Sequence, residues 1–253
     1  MIKMLAAICR RPGMTHAEYL AYVQHVHGAI ACENPVAMKR YVQNHVFDSA
    51  FGSAAEPAHA MVAARDSVTE LYWDSAADMS ATFGHEHVRT RVGPDGANFS
   101  DISVALSMVA VEVEQPVARP GSFGGAKVLH YLRAADGLPL PEFFQRWSRA
   151  HACALEAAPA AAAALRRCVH NRQLPEFNAM LAYFGGKDVP IYEGVASLYF
   201  DDVHAIGAFR AYESALLAYN ADPATRFYVP AQSFFLYAAE VTIYQRPLAE
   251  SAA

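Results

Sequence analysis

Two histidines stand at matching places in this chain. His27 follows Tyr19 and Val23, and His151 follows Phe143 and Trp147, each one helical turn beyond the second residue of its pair. That spacing puts an imidazole on the apolar, inward stripe of a helix, where it either moves a proton near neutral pH or sits as a core histidine bonded to a backbone carbonyl. In the stretch after the first helix, Tyr41, Gln43 and His45 point to one side of a strand and Val42, Asn44 and Val46 to the other. Asn44 recurs as Asn171 and Tyr72 recurs as Tyr199. These side chains, with Trp147, are candidates to orient a ligand carbonyl or phenol; a strand-end turn for Asn and ordinary sheet packing for Tyr are the structural alternatives. His130 is a lesser candidate, since Ala6 occupies its place in the first half.

Other chemistry finds little support. His85-Glu86-His87 resembles a chelate, but i, i+2 residues on a helix diverge by roughly 200°, and no third ligand follows, so the run reads as a solvated helix end and no metal site is expected. Cys9, Cys32, Cys153 and Cys168 form no CxxC pair and no zinc spacing, as expected of free thiols in a reducing cytoplasm. GxGxxG, P-loop, GxSxG and HExxH patterns do not occur, so no nucleotide or other cofactor is expected. The net charge of −5 and the scattered basic residues argue against nucleic acid as a partner. No apolar run approaches the roughly 20 residues that span a bilayer, and Met1–Cys9 reads as a first strand rather than a signal peptide, so a cytoplasmic protein without a membrane partner is expected.

The elements that must position these residues are written twice. Residues 3–35 align with 127–159 at an offset of 124, with Lys3/Lys127, Gly13/Gly137, Glu18/Glu142, His27/His151 and Pro35/Pro159 identical. From residue 42 the offset becomes 127, matching Val42/Val169, Asn44/Asn171, Val68/Val195, Tyr72/Tyr199 and Asp74/Asp201, as though three residues were added within the run Ala160–Ala164. Each half reads β-α-β-β-α-β, the ferredoxin-like order. In the first, strands are expected at Ile2–Cys9, Tyr41–Phe47, Val68–Trp73 and Val104–Glu114. Thr15-His16-Ala17-Glu18 forms a capping box for the first helix, and Asp74–His87 is the second. In the second half, strands are expected at Ala126–Arg133, Arg166–Gln173, Tyr192–Phe200 and Phe234–Gln245, with helices opened by Pro139 and Pro141 and near Asp202–Tyr219. This predicts modules at 1–114 and 126–247, joined by a Pro/Gly/Ser-rich linker at 115–125.

One such module covers a single face of its sheet with helices. Its other face must meet a second sheet, and two modules on one chain meet that need internally as an eight-stranded antiparallel barrel. The expected fold is therefore α+β, two tandem ferredoxin-like modules closing a barrel within one chain, with any further homo-oligomer built on outer surfaces.

The helix ending in His27-Gly28-Ala29-Ile30 and the strand Arg40-Tyr41-Val42-Gln43-Asn44-His45 resemble the EthD family, in which a helix bearing W-x-x-x-H precedes a strand close to R-Y-V-Q-N-H. The second half supplies Trp147-x-x-x-His151-Ala152 and a divergent strand, Arg167-Cys168-Val169-His170-Asn171, while the first carries Val23 where Trp is expected. The resemblance implies a dimeric α/β-barrel superfamily fold, found in degradation operons and aromatic polyketide assembly, with ligands often held between a module's helices and its sheet. The implied function is binding of a small apolar or aromatic carbonyl compound, with cofactor-free isomerisation, cyclisation or dehydration through His27 and His151 as acid/base groups. Tyr41, Asn44, His45, Tyr72, Trp147, Asn171 and Tyr199 would then contact the ligand. The resemblance equally permits a non-catalytic accessory protein of an oxidation pathway, or a haem protein. The first half, which keeps the Tyr41–His45 string beside His27, is expected to hold the better functional pocket.

Overall fold

The computed structural model describes residues 1–52, 64–122, 125–181, 189–201 and 204–247. Eight strands form one closed barrel in the order β1-β3-β2-β8-β5-β7-β6-β4, every neighbouring pair antiparallel. The first module contributes β1 (Ile2–Arg10), β2 (Arg40–Phe51), β3 (Ser67–Trp73) and β4 (Ser100–Gln115). The second contributes β5 (Ala126–Leu132), β6 (Leu165–Gln173), β7 (Gly194–Phe200) and β8 (Phe234–Gln245). The modules meet at two seams, β2 against β8 and β4 against β6. The barrel is thus closed by one chain, as the repeat predicts.

Helices cover the outside. The first, α1, runs through three parts: helical His16–Ala21, a π-helical stretch Tyr22–His27, and helical Gly28–Glu33. The Thr15/Glu18 capping box opens it, both reciprocal bonds being present. In the first module α2 (Ala76–Gly84) follows, with Ser75 as its cap. The second module carries α3 (Leu140–Ala157), α4 (Pro159–Ala164) and α5 (Ala205–Asn220). The alanine run forms the short helix α4, where the repeat offset changes from 124 to 127. Gly13 and Gly137, identical across the repeat, both hold positive φ (89° and 73°) in the turn before the first helix of their module.

Sequence and structure differ at the margins. The strand expected at Tyr41–Phe47 continues to Phe51, because β8 pairs with it along its whole length. The helix expected at Asp74–His87 ends at Gly84, and His87 turns back so that its Nε2 meets the Ile30 carbonyl at 2.9 Å, half-buried rather than solvated. Gln115 is the last residue of β4, and 116–122 are irregular. Residues 123–124 of the linker, and Asp202, lie outside the described residues.

Strand alternation divides the core into layers. Leu5, Val46, Val68, Leu129, Val195 and Leu236 come from six strands of both modules and pack together, so they fill the lumen. The alternate residues pack under helices: Met4, Tyr41 and Trp73 in the first module, Val128, Cys168 and Leu198 in the second.

Candidate functional site

The two faces of the sheet separate the sequence-predicted residues into two groups. Asn44, Tyr72, Asn171 and Tyr199 share the lumen face, whereas Tyr41, His45, His27, Trp147 and His151 lie in or under the helical layers. The amide of Asn44 donates to the Val68 carbonyl at 2.9 Å, and that of Asn171 to the Val195 carbonyl at 2.7 Å, the same strand-to-strand bond in each module. Tyr72 donates to Glu70 at 2.5 Å and stacks beneath Lys3 and Arg40; Tyr199 holds Lys127 and Arg167 in the same way. These four residues organise the barrel interior.

In the first module, His27 ends the π-helical stretch of α1, a helix form frequent at functional positions. Its Nδ1 donates to Oδ2 of Asp95 at 2.8 Å, and the ring packs on Phe99 with centroids 4.6 Å apart. Asp95 also accepts from the Tyr22 hydroxyl (2.7 Å) and the Asn98 amide (2.9 Å). Burial pushes the His27 pKa down, and Asp95 offsets part of that effect. Burial alone would raise Asp95, but its three donors hold it below its ordinary value. The result is a neutral imidazole held in one tautomer by a carboxylate. His27 lines a small cavity of about 80 Å³ between α1, α2 and the sheet, together with Met38, Tyr41, Thr69, Trp73 and Phe83. Burial raises the Tyr41 pKa, so its hydroxyl, which accepts from the Gln43 amide at 2.7 Å, stays protonated. His45 lies farther along the same face, with Nε2 3.0 Å from Gln43 Oε1, and does not line the cavity.

The second module has diverged. Nε2 of His151 donates to the Pro116 carbonyl at 2.9 Å, which leaves Nδ1 as an acceptor for the Tyr212 hydroxyl at 2.9 Å. Cys168 Sγ is 3.7 Å from that same Nδ1. Trp147 lies flat on His170, with centroids 3.6 Å apart and ring planes 5° from parallel. His151 also borders an open groove of about 800 Å³ with Pro116, Ser148, Arg149 and Arg172. His130 is buried with its edge toward Phe209 and Tyr228, away from both sites.

Sequence spacing did not reveal Asp95, Tyr212 or the Cys168/His170 pair. Asp95 ends a short helical stretch, Gly93–Asp95, whose Gly-Pro-Asp sequence carries no periodic signal. The repeat alignment does hold the signal for the pair, since it sets Cys168 opposite Tyr41 and His170 opposite Gln43.

Two helix-covered sheets closed on each other, with a helical histidine beneath each outer layer, define a protein of the dimeric α/β-barrel superfamily. The chain belongs to the EthD family, whose domain model matches residues 11–103 and again 135–229. Solved structures share the barrel. A mutant chlorite dismutase from Candidatus Nitrospira defluvii superposes with a TM-score of 0.52 at 8% identity, covering 96% of this chain and 92% of that one. An anthrone oxidase-like protein gives 0.51 at 11% identity, covering 99% and 96%. A further structure, described as a monooxygenase from Fusobacterium nucleatum, gives 0.50 at 6%, covering 97% and 98%. At these identities the likeness is one of fold. No curated protein matches the chain significantly in sequence.

Proposed function

We propose that this EthD protein binds a small apolar or carbonyl-bearing compound between α1 and the sheet of its first module, and that His27 exchanges a proton with it. The observation that carries the reading is the 2.8 Å bond from His27 Nδ1 to Asp95 at the wall of a small, partly open cavity. A base needs an unprotonated nitrogen near neutral pH, and burial supplies that condition for His27. A carboxylate on the far nitrogen stabilises the imidazolium that forms when the base takes a proton. Tyr41, kept protonated by its burial, is placed to donate to a carbonyl oxygen that takes up charge as the neighbouring α-carbon loses that proton. Net chemistry of this kind, abstraction and return of one proton, is isomerisation, or cyclisation or dehydration where the substrate carries the groups.

A second reading is supported by size. A cavity of about 80 Å³ holds only the reactive end of an aromatic compound, which suits capture by a non-catalytic partner of an oxidation pathway as well as turnover. Haem, the third group that the family resemblance brings in, does not fit. Under α3 and α5 of the second module, Phe143, Trp147, Ala154, Phe209 and Tyr212 are buried against the sheet, and the cavity beside His27 in the first module, at about 80 Å³, falls short of the roughly 300–1,000 Å³ of a cofactor pocket.

The test is to supply small aromatic ketones and follow both occupancy and exchange of the α-proton into deuterated water. Exchange that His27→Gln abolishes while binding persists supports the acid/base reading. Occupancy without exchange selects the accessory role. Binding that is indifferent to Tyr41→Phe, His27→Gln and a space-filling Thr69→Ile ends the pocket proposal.

A further inference from the structure

From the geometry we infer that the second module carries a site for one thiolate-binding transition metal ion of the zinc class, formed by His151, Cys168 and His170. The ligand atoms of these three residues lie within 4.8 Å of one another, and all three residues are buried. Zinc takes Cys sulfur at about 2.3 Å and His nitrogen at about 2.0 Å, so around a tetrahedral ion sulfur and nitrogen stand about 3.5 Å apart. The 3.7 Å separation of Cys168 Sγ and His151 Nδ1 already matches that figure. Bringing in the third group calls for a side-chain movement of about an ångström.

Three further observations point to a ligand. His170 is fully buried, yet neither of its ring nitrogens has a partner among the described residues. An orphaned buried nitrogen costs on the order of 1–3 kcal/mol, and a metal bond would remove that cost for one of the two. Secondly, the His151 ring is arranged as a ligating histidine is. Its Nε2–H is fixed on the Pro116 carbonyl, the kind of outer-sphere bond that sets tautomer and orientation in metal sites, and its unprotonated Nδ1, 3.7 Å from Cys168 Sγ, would exchange the Tyr212 hydroxyl it now accepts from for the ion. Thirdly, the first module is an internal control. There the places of Cys168 and His170 are held by Tyr41 and Gln43, which satisfy each other through a 2.7 Å hydrogen bond, with the Gln43 amide also reaching the Val23 carbonyl. In the second module both positions have become soft-metal donors, and the self-contained hydrogen-bond pair is gone.

The Tyr212 hydroxyl, 2.9 Å from His151 Nδ1, is the nearest fourth donor, and the groove beside Pro116 and Arg172 reaches His151 from solvent. Burial keeps the Cys168 thiol protonated when no ion is present. Binding therefore exchanges the S–H proton for an S–metal bond and releases one proton per ion, with no change of oxidation state.

The test uses the full-length, untagged chain, freed of metal and titrated with cobalt(II) and then zinc(II). One equivalent of cobalt per chain should give a thiolate-to-cobalt charge-transfer band and intense visible bands of tetrahedral cobalt. About one proton should be released near neutral pH, and zinc should bleach the colour. Cys168→Ala and His170→Gln should each weaken binding by more than about 100-fold, beyond the range for losing an outer-sphere partner, while Cys153→Ser changes nothing. Absence of a thiolate band in the wild-type chain overturns the site, whether or not the variants fold. So does binding that survives Cys168→Ala.

Discussion

The ammonium group of Lys127 stands 2.6 Å from Oε1 of Glu70, joining the two modules through the barrel lumen. Glu70 also accepts from Lys3 at 3.1 Å, so one buried carboxylate serves the repeated lysine of both halves. Around it the network follows the repeat: Lys3 with Glu112 and Lys127 with Glu240, Arg40 with Glu240 and Arg167 with Glu112. Glu70 is where the repeat breaks, since Ser197 holds the matching position.

Loss of that carboxylate should therefore be costly. Burial alone would raise the Glu70 pKa, but the two lysines more than offset it and hold it far below the usual carboxylate range. Its contribution to stability is full above the ordinary carboxylate pKa and is lost progressively as the pH falls from there toward the depressed native value. Glu70→Gln leaves the buried Lys3 and Lys127 with one carboxylate each, Glu112 and Glu240, and should destabilise the chain by about 3 kcal/mol, whereas Ser197→Ala should cost about 1 kcal/mol for the lost Asn171 bond. Urea unfolding at pH 7 measures both, and equal effects would remove Glu70 from the centre of the network.

Acid sensitivity at milder pH is expected from His130. Burial holds its pKa down to about 3, against 6.5 in the ordinary state, and its Nδ1 has no partner. The native chain then stays unprotonated there while the unfolded chain takes up a proton below pH 6.5. Stability should fall by about 1.4 kcal/mol per pH unit from this residue as the pH drops from 6 toward 4. His130→Leu should flatten that slope by one proton and gain more at pH 5 than at pH 7.5. An unchanged slope would show that His130 is accessible to protons in the native state.

Much of this fold was legible because the repeat is periodic twice over: helices and strands recur with their own periods, and each half repeats the other. Closure of the barrel followed from apolar residues on both faces of each sheet. The candidate sites were less legible. Alternation correctly set Asn44 on the face opposite Tyr41, yet alternation alone does not say which face meets the helices, and the identity of Asn44 with Asn171 proved to mark a strand-to-strand bond. Asp95 and Tyr212 reach their histidines from elements far along the chain, and only the tertiary fold brings them there.

Packing under α3 makes a third prediction. The Trp147 ring fills the space between Gly194 on β7 and His170 on β6, and a Cβ at Gly194 would lie 2.5 Å from Trp147 Cζ3. Gly194→Ala must displace the indole or bend β7, at a cost of about 1–3 kcal/mol. Trp73 and Trp147 are the two tryptophans of the chain, so Trp73→Phe isolates the Trp147 fluorescence. In that background Gly194→Ala should change the emission as well as lower the melting temperature. A silent spectrum with unchanged stability would mean that the interface has slack.

The last prediction concerns the linker. Each module alone would expose the lumen face of its sheet, with Leu5, Val46 and Val68 in the first and Leu129, Val195 and Leu236 in the second. It would also bare two unpaired edges: β2, which pairs β8 along Arg40–Phe51, and β4, which pairs β6 along Ala110–Gln115. Residues 118–122 are irregular and exposed, and among the hydrogen bonds of the described residues they reach the seam strands through one long bond, Gly121 N–H to the Arg166 carbonyl at 3.4 Å, whereas Pro116 holds His151 and must be spared. Cleavage at 118–122 should therefore leave a barrel whose halves stay together under native conditions. After separation in denaturant, neither half should refold as a monomer, and mixing them should restore one cooperative unfolding transition. Its midpoint should rise with protein concentration, because the tether's effective concentration, in the millimolar range for a short flexible linker, has been lost. Sedimentation of the separated halves decides the matter: a folded, monomeric single module would show that the outer helices suffice and that closure of the barrel is not what stabilises the chain.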